Sequence, residues 1–398
     1  MQSAKYQAIA LGMFLMVGAF TGCLGDDDDD AGTTDVVTKT TVKIGLLSPI
    51  TGPIAVYAPG FEDAANVAIT ELNAANANHE FVLVVGDSGC DGTTAGTAAQ
   101  ALIDAGVVGI AGAACSGATL GAIEVAKAAN VAMVSYASTS PAITAHADDG
   151  YLFRVVPSDA QQGQAMAAVA TADNLTNPAI LYMTNDYGSG LADAFNGSWT
   201  GDVCEMIGYD QDATDFSAMV TTVKDSACGS VVMVSYATDG AGIIEEMATQ
   251  GVDVPILGAD GMADLPFVDE FTDATNVDGV GATKPSPGSA SAEKTAFEAA
   301  YTAAAGNASG IYTAETYDAV MIIAAAAMAD SDGDIKDDLA TIGSSYAGAS
   351  GTHTFTSDGD VVGSGYQVCS FTATASDGSD AAFTCGRTWN LADGLADA

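Results

Sequence analysis

Short apolar runs alternate with segments of helical periodicity along most of the chain. VKIGLLSP is followed by FEDAANVAITELNAAN, in which apolar positions recur at helical spacing. The same order repeats in FVLVVGD and TTAGTAAQALIDAG, then in VVGIAGA and SGATLGAIEVAKAAN, and it ends in VAMVSY. Strands of continuous apolar residues that alternate with helices predict a parallel sheet with helices on both faces.

A second unit of similar size begins after YLFRVVPSD. Its segments, in order, are AQQGQAMAAVATAD, PAILYMT, GLADAFNGSW, VCEMIGYD, DFSAMVTTVKDS, GSVVMVSY, AGIIEEMATQG and VPILGAD. Helices near FEAAYTAAAG and TYDAVMIIAAAAMAD precede a tail of β-type composition, which contains GTHTFTSDGDVV, GYQVCSFTA and AAFTCGRTW. Because 398 residues suffice for two domains, we predict an α/β fold with two doubly wound parallel-sheet units.

The segments that follow the predicted strands are candidates for a binding site. Parallel sheets bind ligands outside the carboxyl ends of their strands. These segments are SPITGPIAVY, GDSGCDG, AACSGAT, YASTSP, NDYGSG, SYATDG and GADGM, and they are rich in Gly, Ser, Thr, Tyr and Asp.

One of these segments contains GDSG, which resembles the surroundings of the nucleophilic serine in chymotrypsin-like proteases. That mechanism needs a histidine base and an orienting carboxylate. The only histidine upstream of Ser88 is His79, nine residues away in a predicted turn, and GDSG here closes a strand of an α/β unit. The sequence also lacks G-x-S-x-G, a complete dinucleotide fingerprint, a P-loop and closely spaced cysteine ligands. We therefore predict no enzymatic activity, no cofactor and no metal.

The charge balance is strongly acidic. Ten Lys and Arg face 51 Asp and Glu, which gives a formal net charge of −41, and Arg154 and Arg387 are the only arginines. Without clustered cations such a surface repels nucleic acid and anionic lipid headgroups. The excess of acid is compatible with simple solubility, but it favours a salt-rich habitat, where screening weakens the self-repulsion.

The first residues predict a targeting segment. Lys5 precedes AIALGMFLMVGAF, an apolar run that is short for a bilayer span and suits a signal peptide. Small residues before Cys23 are similar to a lipoprotein signal, so we expect removal of residues 1–22 and lipidation of Cys23; an ordinary signal peptide is the alternative. The aspartate-rich residues 23–40 predict an extended tether. We therefore expect an extracytoplasmic, membrane-anchored protein.

The other six of the seven cysteines suggest disulfide bonds, because their number is even in a chain that we expect to be exported. Six cysteines allow fifteen connectivities. Sequence order favours the local pairs Cys90–Cys115, Cys204–Cys228 and Cys369–Cys385.

Taken in register, the segments resemble the leucine/isoleucine/valine-binding family of extracytoplasmic solute-binding proteins that serve ABC importers. IGLLSPITGPIAVYAPGFEDAANVAITELNAAN is similar to the family's first strand, tyrosine-bearing loop and first helix, and ASTSPAIT is similar to its signature. FRVVPSDAQQG resembles its first crossover, and NDYGSGLADAF, TDFSAMVTTVK and GADGM follow in the family order. The resemblance runs from about Val42 to the end of the sequence.

The resemblance implies the type I periplasmic-binding fold, in which two α/β lobes, joined by three hinge crossings, close around a ligand. The first lobe would comprise residues 41–157 and 285–358, and the second lobe residues 158–284 and 359–398. The spacing of Cys90 and Cys115 is that of a disulfide in branched-chain amino acid binders.

The resemblance also implies ligand-binding positions in the first lobe. Ser116 would hold the ligand carboxylate at a helix N-terminus, where N–H groups and the helix dipole favour an anion. Ala137 would offer its carbonyl to the ligand ammonium, and Thr139 would offer its hydroxyl and N–H. Tyr57 would form an aromatic wall. From the residues alone, Ser116 is equally explained as a helix cap and Thr139 as a turn residue.

In the second lobe, Tyr187 and Tyr236 would close over the ligand, although Tyr236 is also explained as a packing aromatic. Asp260 falls where branched-chain amino acid binders carry a glutamate that pairs with the ligand ammonium. The arm of Asp260 is one methylene shorter, which leaves the position of the recognised group open. Tyr312 and Tyr317 are further candidates for the wall of the side-chain pocket.

These residues predict a lipid-anchored receptor that captures an amino acid, branched-chain ones included, and delivers it to an ABC permease. We expect a monomer whose partners are the small ligand and the permease subunits, with no nucleic acid and with membrane contact only through the anchor. The alternatives are a binder of an amide or urea-type ligand on the same fold, and a ligand-sensing ectodomain. A sensor usually has a transmembrane helix and an output domain, which we do not expect here.

Overall fold

A computed structural model describes residues 39–288 and 290–397. The expected signal peptide, the lipidated Cys23 and nearly all of the tether lie outside the described residues. The strands are β1 (Thr40–Ser48), β2 (His79–Asp87), β3 (Gly109–Ala111), β4 (Ala132–Ser135), β5 (Leu152–Arg154), β6 (Pro178–Met183), β7 (Glu205–Tyr209), β8 (Ser230–Val234), β9 (Ile256–Gly258), β10 (Gly281–Pro285), β11 (Tyr346–Ala347), β12 (Thr352–His353), β13 (Tyr366–Thr372), β14 (Ala382–Asn390) and β15 (Gly394–Asp397).

The helices connect these strands or cover the sheets. They are α1 (Ala58–Ala75), α2 (Gly92–Asp104), α3 (Ser116–Ala128), α4 (Pro141–Thr144), α5 (Asp159–Ala172), α6 (Asp186–Ser198), α7 (Ser217–Asp225), α8 (Ala237–Gln250), α9 (Ala292–Ala305), α10 (Thr313–Ala329) and α11 (Lys336–Ile342). Within the described ranges, every helix is too short or too polar to span a bilayer.

The first sheet has five strands in the order β2-β1-β3-β4-β5, and all neighbours are parallel. Its inner strand β1, between β2 and β3, buries Ile44, Leu46 and Leu47 completely. Both faces of such a strand lie under helices, which is why its apolar residues are continuous rather than alternating. Helix α10 packs against α1 and β3, so the late helices cover the first sheet.

The second sheet has eight strands in the order β15-β14-β13-β10-β9-β8-β6-β7. Strands β6 to β10 are parallel to their neighbours in that part of the sheet, which confirms the predicted α/β class with two parallel-sheet lobes. The tail strands β13, β14 and β15 extend the sheet with antiparallel pairing. The short strand β10, to which they attach, was not predicted from the sequence.

The chain passes between the two sheets three times: between β5 and α5, between β10 and α9, and between β12 and β13. The predicted fold requires three crossings between the lobes. The lobe boundaries given above, in residue numbers, stay a prediction. Most of GTHTFTSDGDVV, which has β-type composition, is not strand, because the chain turns at Gly359 with φ 74° and lies against β5.

Arg154 fastens the first crossing to the third. Its side chain is completely buried, and its Nε and Nη2 donate to Asp360 at 2.6 and 3.0 Å. Nη1 donates to the carbonyls of Ser138 and Ser140, and Nη2 also donates to Thr144 Oγ1. One guanidinium therefore holds β5, the signature loop that follows β4, and the segment that leads to β13.

Three disulfide bonds are present, and they join the cysteines in the pairs favoured by sequence order: Cys90–Cys115, Cys204–Cys228 and Cys369–Cys385. The first lies beside the carboxyl ends of the first sheet. The third joins the neighbouring strands β13 and β14.

Candidate functional site

A cavity lies between the carboxyl ends of the strands of the two sheets. It encloses about 360 Å³ when the part that opens to solvent is included. Six of the seven residues expected to bind ligand line it: Tyr57, Ser116, Ala137, Tyr187, Tyr236 and Asp260. The seventh, Thr139, is fully buried and is not among the lining residues.

The first-lobe side of the cavity is the start of α3. Ser116 is the first residue of this helix and is 1% exposed, and its Oγ accepts a hydrogen bond from the backbone N–H of Ser140 at 3.2 Å. The first N–H groups of a helix have no partner within it and carry the positive end of the dipole. This corner of the cavity is therefore suited to a carboxylate.

Buried hydroxyl groups fix the loops around that corner. Ser138 Oγ donates to the carbonyls of Ala113 and Ala114 at 3.0 and 3.1 Å and lies 2.7 Å from Thr119 Oγ1. Ser135 Oγ donates to the same Ala113 carbonyl at 2.7 Å. Because these bonds join the loop after β3 to the loop after β4, they hold Ser116 and Ala137 in fixed relative positions.

The second-lobe side presents a carboxylate. Asp260 follows β9 in a short 3₁₀ turn and is 3% exposed. The Tyr187 hydroxyl donates to its Oδ1 at 2.8 Å, and the Tyr312 hydroxyl donates to its Oδ2 at 2.6 Å. Burial raises the pKa of Asp260, and the two tyrosine hydrogen bonds offset part of that shift. A cationic group at this position would favour the ionised form of Asp260.

Aromatic and aliphatic groups complete the wall. The rings of Tyr187 and Tyr236 stack with centroids 5.1 Å apart and an interplanar angle of 6°. Tyr57 is buried with Ile54 and Ile311 in the same lining. Burial, followed by the charges of neighbouring carboxylates, raises the pKa of Tyr57, so its hydroxyl is neutral. The cavity thus combines an anion-binding corner, a carboxylate and an apolar wall.

Sequence reasoning missed two features of this site. The Tyr312 hydroxyl binds Asp260 directly, whereas Tyr312 was expected only as a wall residue; Tyr317 instead donates to Glu71 at 2.6 Å, outside the lining. Asp159 is fully buried beside Thr139, whose carbonyl accepts the Asp159 N–H at 2.8 Å. In the sequence Asp159 looks like an ordinary first-turn acid, because Ser158 caps the same helix.

The disulfide of Cys90 and Cys115 braces the anion-binding corner, because Cys115 is the N-cap residue of α3. It closes a loop with a sequence separation of 25. Replacement of both cysteines by alanine should lower the free energy of unfolding by roughly 3 kcal/mol in the chain-entropy description. Denaturant unfolding in high salt would measure the loss.

The disulfide bond between Cys369 and Cys385 provides the control, because it closes a loop with a sequence separation of 16 in the tail strands. Its removal should destabilise the fold by a similar amount, roughly 3 kcal/mol, without loosening the start of α3. An unfolding midpoint that is unchanged after removal of Cys90 and Cys115 would show that this bond does not brace the fold.

Two α/β lobes with a polar cleft between the carboxyl ends of their strands are typical of two-lobed ligand-binding proteins. Residues 41–374 match the family model described as periplasmic binding protein. The chain therefore belongs to the periplasmic binding protein family.

Among its relatives is the leucine-, isoleucine-, valine-, threonine-, and alanine-binding protein of Pseudomonas aeruginosa, 27% identical over 292 residues, which are 71% of this chain and 77% of that protein. Another is the Leu/Ile/Val-binding protein homolog 3 of Brucella melitensis, 25% identical over 232 residues, or 57% of this chain and 63% of that protein. The chain thus matches slightly less than two thirds of the length of the Brucella relative.

Among solved structures, the chain resembles the branched-chain amino acid transporter substrate binding protein LivJ from Streptococcus pneumoniae, crystallised in complex with isoleucine. The TM-score is 0.74 and the identity is 27%, and the match covers 87% of this chain and 100% of that chain.

Proposed function

We propose that the protein captures an α-amino acid with an apolar side chain outside the cytoplasm. The observation that carries this proposal is the placement of the start of α3 and of Asp260 in one cavity, whose remaining wall includes Ile54 and Ile311. An α-amino acid is a zwitterion, so it needs an anion-binding group and a carboxylate on opposite sides. The relatives from Pseudomonas aeruginosa and Brucella melitensis, which are named as binding proteins for leucine, isoleucine and valine, agree with this chemistry.

In this proposal the ligand carboxylate binds Ser116 and the N–H groups of the first turn of α3. The carbonyl of Ala137 and the carboxylate of Asp260 accept hydrogen bonds from the ammonium, and Thr139 supports the same end. Tyr187 and Tyr236 cover the ligand from the second lobe, and Tyr57 forms the wall around its side chain.

Delivery to an ABC permease, a lipid anchor at Cys23 and a monomeric state complete the proposal. Delivery to a permease is supported by the similarity to LivJ, the substrate binding protein of a branched-chain amino acid transporter, and the anchor is supported by the apolar segment and the small residues before Cys23. The acidic residues 23–40 would keep the binding domain clear of the membrane surface.

A thermal-shift screen in high salt tests the ligand class. Leucine, isoleucine and valine should raise the melting temperature, because a ligand at about 100 times its dissociation constant stabilises the folded state by roughly 2.7 kcal/mol. Aspartate, acetamide and urea serve as comparisons. A shift with acetamide or urea, and none with any amino acid, would contradict the proposal and favour an amide-binding protein.

A further inference from the structure

Gln211 joins the two lobes outside the cavity. It lies two residues after β7 in the second lobe, and its Nε2 donates to the Cys90 carbonyl of the first lobe at 3.2 Å. Its Oε1 accepts a hydrogen bond from Asn185 Nδ2 at 2.6 Å. Gln211 and these two partners are not among the residues that line the cavity, so the bridge acts without touching the ligand position.

The first-lobe end of the bridge is tied to the anion-binding corner. Cys90 follows β2 and is 3% exposed, and its disulfide bond joins it to Cys115. Cys115 is the N-cap residue of α3, so Ser116 is the next residue along the chain. The hydrogen bond to the Cys90 carbonyl therefore holds a segment that is covalently linked to the start of α3.

The second-lobe end of the bridge is tied to the helix that presents Tyr187. Asn185 is the N-cap residue of α6, and its Oδ1 accepts the N–H of Gly188 at 2.8 Å. Tyr187 lies in the first turn of this helix and donates to Asp260. The amide of Gln211 therefore connects the start of α3 in one lobe with the start of α6 in the other.

The bridge lies far from the hinge crossings in the order of both sheets. Cys90 follows β2, an edge strand of the first sheet, whereas the first crossing leaves from β5 at the other edge. Gln211 follows β7, an edge strand of the second sheet, whereas the other crossings use β10 and β13, several strands away. When two lobes rotate about a hinge, the points farthest from it separate most. A hydrogen bond at this position therefore opposes opening more than one beside the hinge does.

Neutral hydrogen bonds of the same kind join the lobes at two further places. Ser140 Oγ donates to the Asp186 carbonyl at 2.7 Å, and the N–H and Oγ1 of Thr238 both donate to the Pro53 carbonyl at 3.2 Å. Because these donors and acceptors are uncharged, the screening of charges by salt does not weaken them. Ser140 belongs to the signature loop and so serves ligand binding as well, whereas Gln211 can be replaced without altering a residue of the lining.

From these contacts we infer that Gln211 is a positioning residue that latches the lobes together, both around a bound amino acid and for part of the time in the ligand-free protein. The identity of the ligand in this inference rests on the proposed function. The contact with Cys90 exists only while the lobes are closed, so it slows opening and hence release of the ligand. Entry of the ligand into the open cleft does not depend on this contact.

The Gln211→Glu variant separates the two contacts of this side chain. Its carboxylate still accepts the Asn185 amide, but it cannot donate to the Cys90 carbonyl and it repels that oxygen. The matched control is Gln164→Glu, which makes the same charge change at an exposed position of α5 in the same lobe. Gln211→Ala removes both contacts without adding charge, so it separates loss of the latch from an effect of the new carboxylate.

Release of radiolabelled L-leucine into an excess of unlabelled leucine, in high salt, measures the dissociation rate. We expect roughly threefold to tenfold faster release from Gln211→Glu and Gln211→Ala than from wild type and Gln164→Glu, which corresponds to the loss of one neutral hydrogen bond. The association rate, obtained from the dissociation rate and the calorimetric affinity, should change little. A residue that only supported folding would not divide the two rates in this way. Equal dissociation rates in all four proteins would overturn the latch while the proposed function stands.

Small-angle X-ray scattering of the ligand-free proteins gives a readout that does not depend on the ligand. Loss of the latch shifts the ligand-free population toward the open cleft, so the radius of gyration of Gln211→Glu should exceed that of wild type and of Gln164→Glu. If the wild type binds no leucine, the proposed function fails and this comparison alone decides about the latch. Equal radii in the three proteins would then overturn the latch as well.

Discussion

Replacement of Asp260 by alanine should weaken leucine binding by about 4 kcal/mol, roughly a thousandfold, because it leaves a buried ammonium opposite an apolar group. Two tyrosine hydroxyls hold both oxygens of Asp260, so this carboxylate is fixed before the ligand arrives. Isothermal titration in high salt measures the change.

A loss of affinity in Asp260→Ala must be separated from a loss of folding. Removal of the carboxylate relieves the cost of burying it but leaves the hydroxyls of Tyr187 and Tyr312 without their acceptor, so the two effects oppose each other and the ligand-free melting temperature should change little. Asp253 is exposed, so the Asp253→Asn variant serves as the control for the loss of one negative charge. Wild-type affinity for leucine in Asp260→Ala would show that the ammonium does not bind at this carboxylate.

The Arg154→Met variant should lose about 3–5 kcal/mol of unfolding free energy, which is the range for breaking a buried ion pair from one side. Methionine fills much of the space but donates nothing, so Asp360 and the carbonyls of Ser138 and Ser140 lose their donors together. Leucine affinity should fall as well, because those carbonyls belong to the loop that carries Ala137 and Thr139.

The second arginine provides a matched control for that experiment. Arg387 makes a bidentate contact with Asp173 at 2.6 and 2.7 Å, but both side chains remain 30–40% exposed. Exposed pairs contribute little, so Arg387→Met should lose less than about 1 kcal/mol. Denaturant unfolding compares the two variants, and equal losses would contradict the central role given to Arg154.

Much of the fold follows from local patterns in the sequence. The apolar runs that end at Ser48, Ser135 and Val234 are strands of parallel sheets, and the polar segments after them meet at the cavity. The prediction succeeds because each apolar run must be buried on both faces of its sheet. Parallel strands also have their carboxyl ends at the same edge of the sheet. The approximate place of the site therefore needs no knowledge of long-range contacts.

Contacts between distant parts of the chain could not be predicted in this way. Arg154 and Asp360 are separated by 206 residues, and Tyr312 and Asp260 by 52. No periodicity marks such pairs, because they form only where a crossing brings two segments together. Asp159 was missed for a related reason: its local setting explains it fully as a helix-start residue, and only its complete burial sets it apart.

We propose that the cleft holds a zwitterion between the start of α3 and the carboxylate of Asp260. The most direct test of this proposal is calorimetric titration with L-leucine and with its two truncated analogues, 4-methylpentanoate without the ammonium and 3-methylbutylamine without the carboxylate. We predict one leucine per protein and affinities at least about a hundredfold weaker for both analogues, since each leaves a buried charged or polar group unpaired. Binding of 4-methylpentanoate as tightly as leucine would contradict the account.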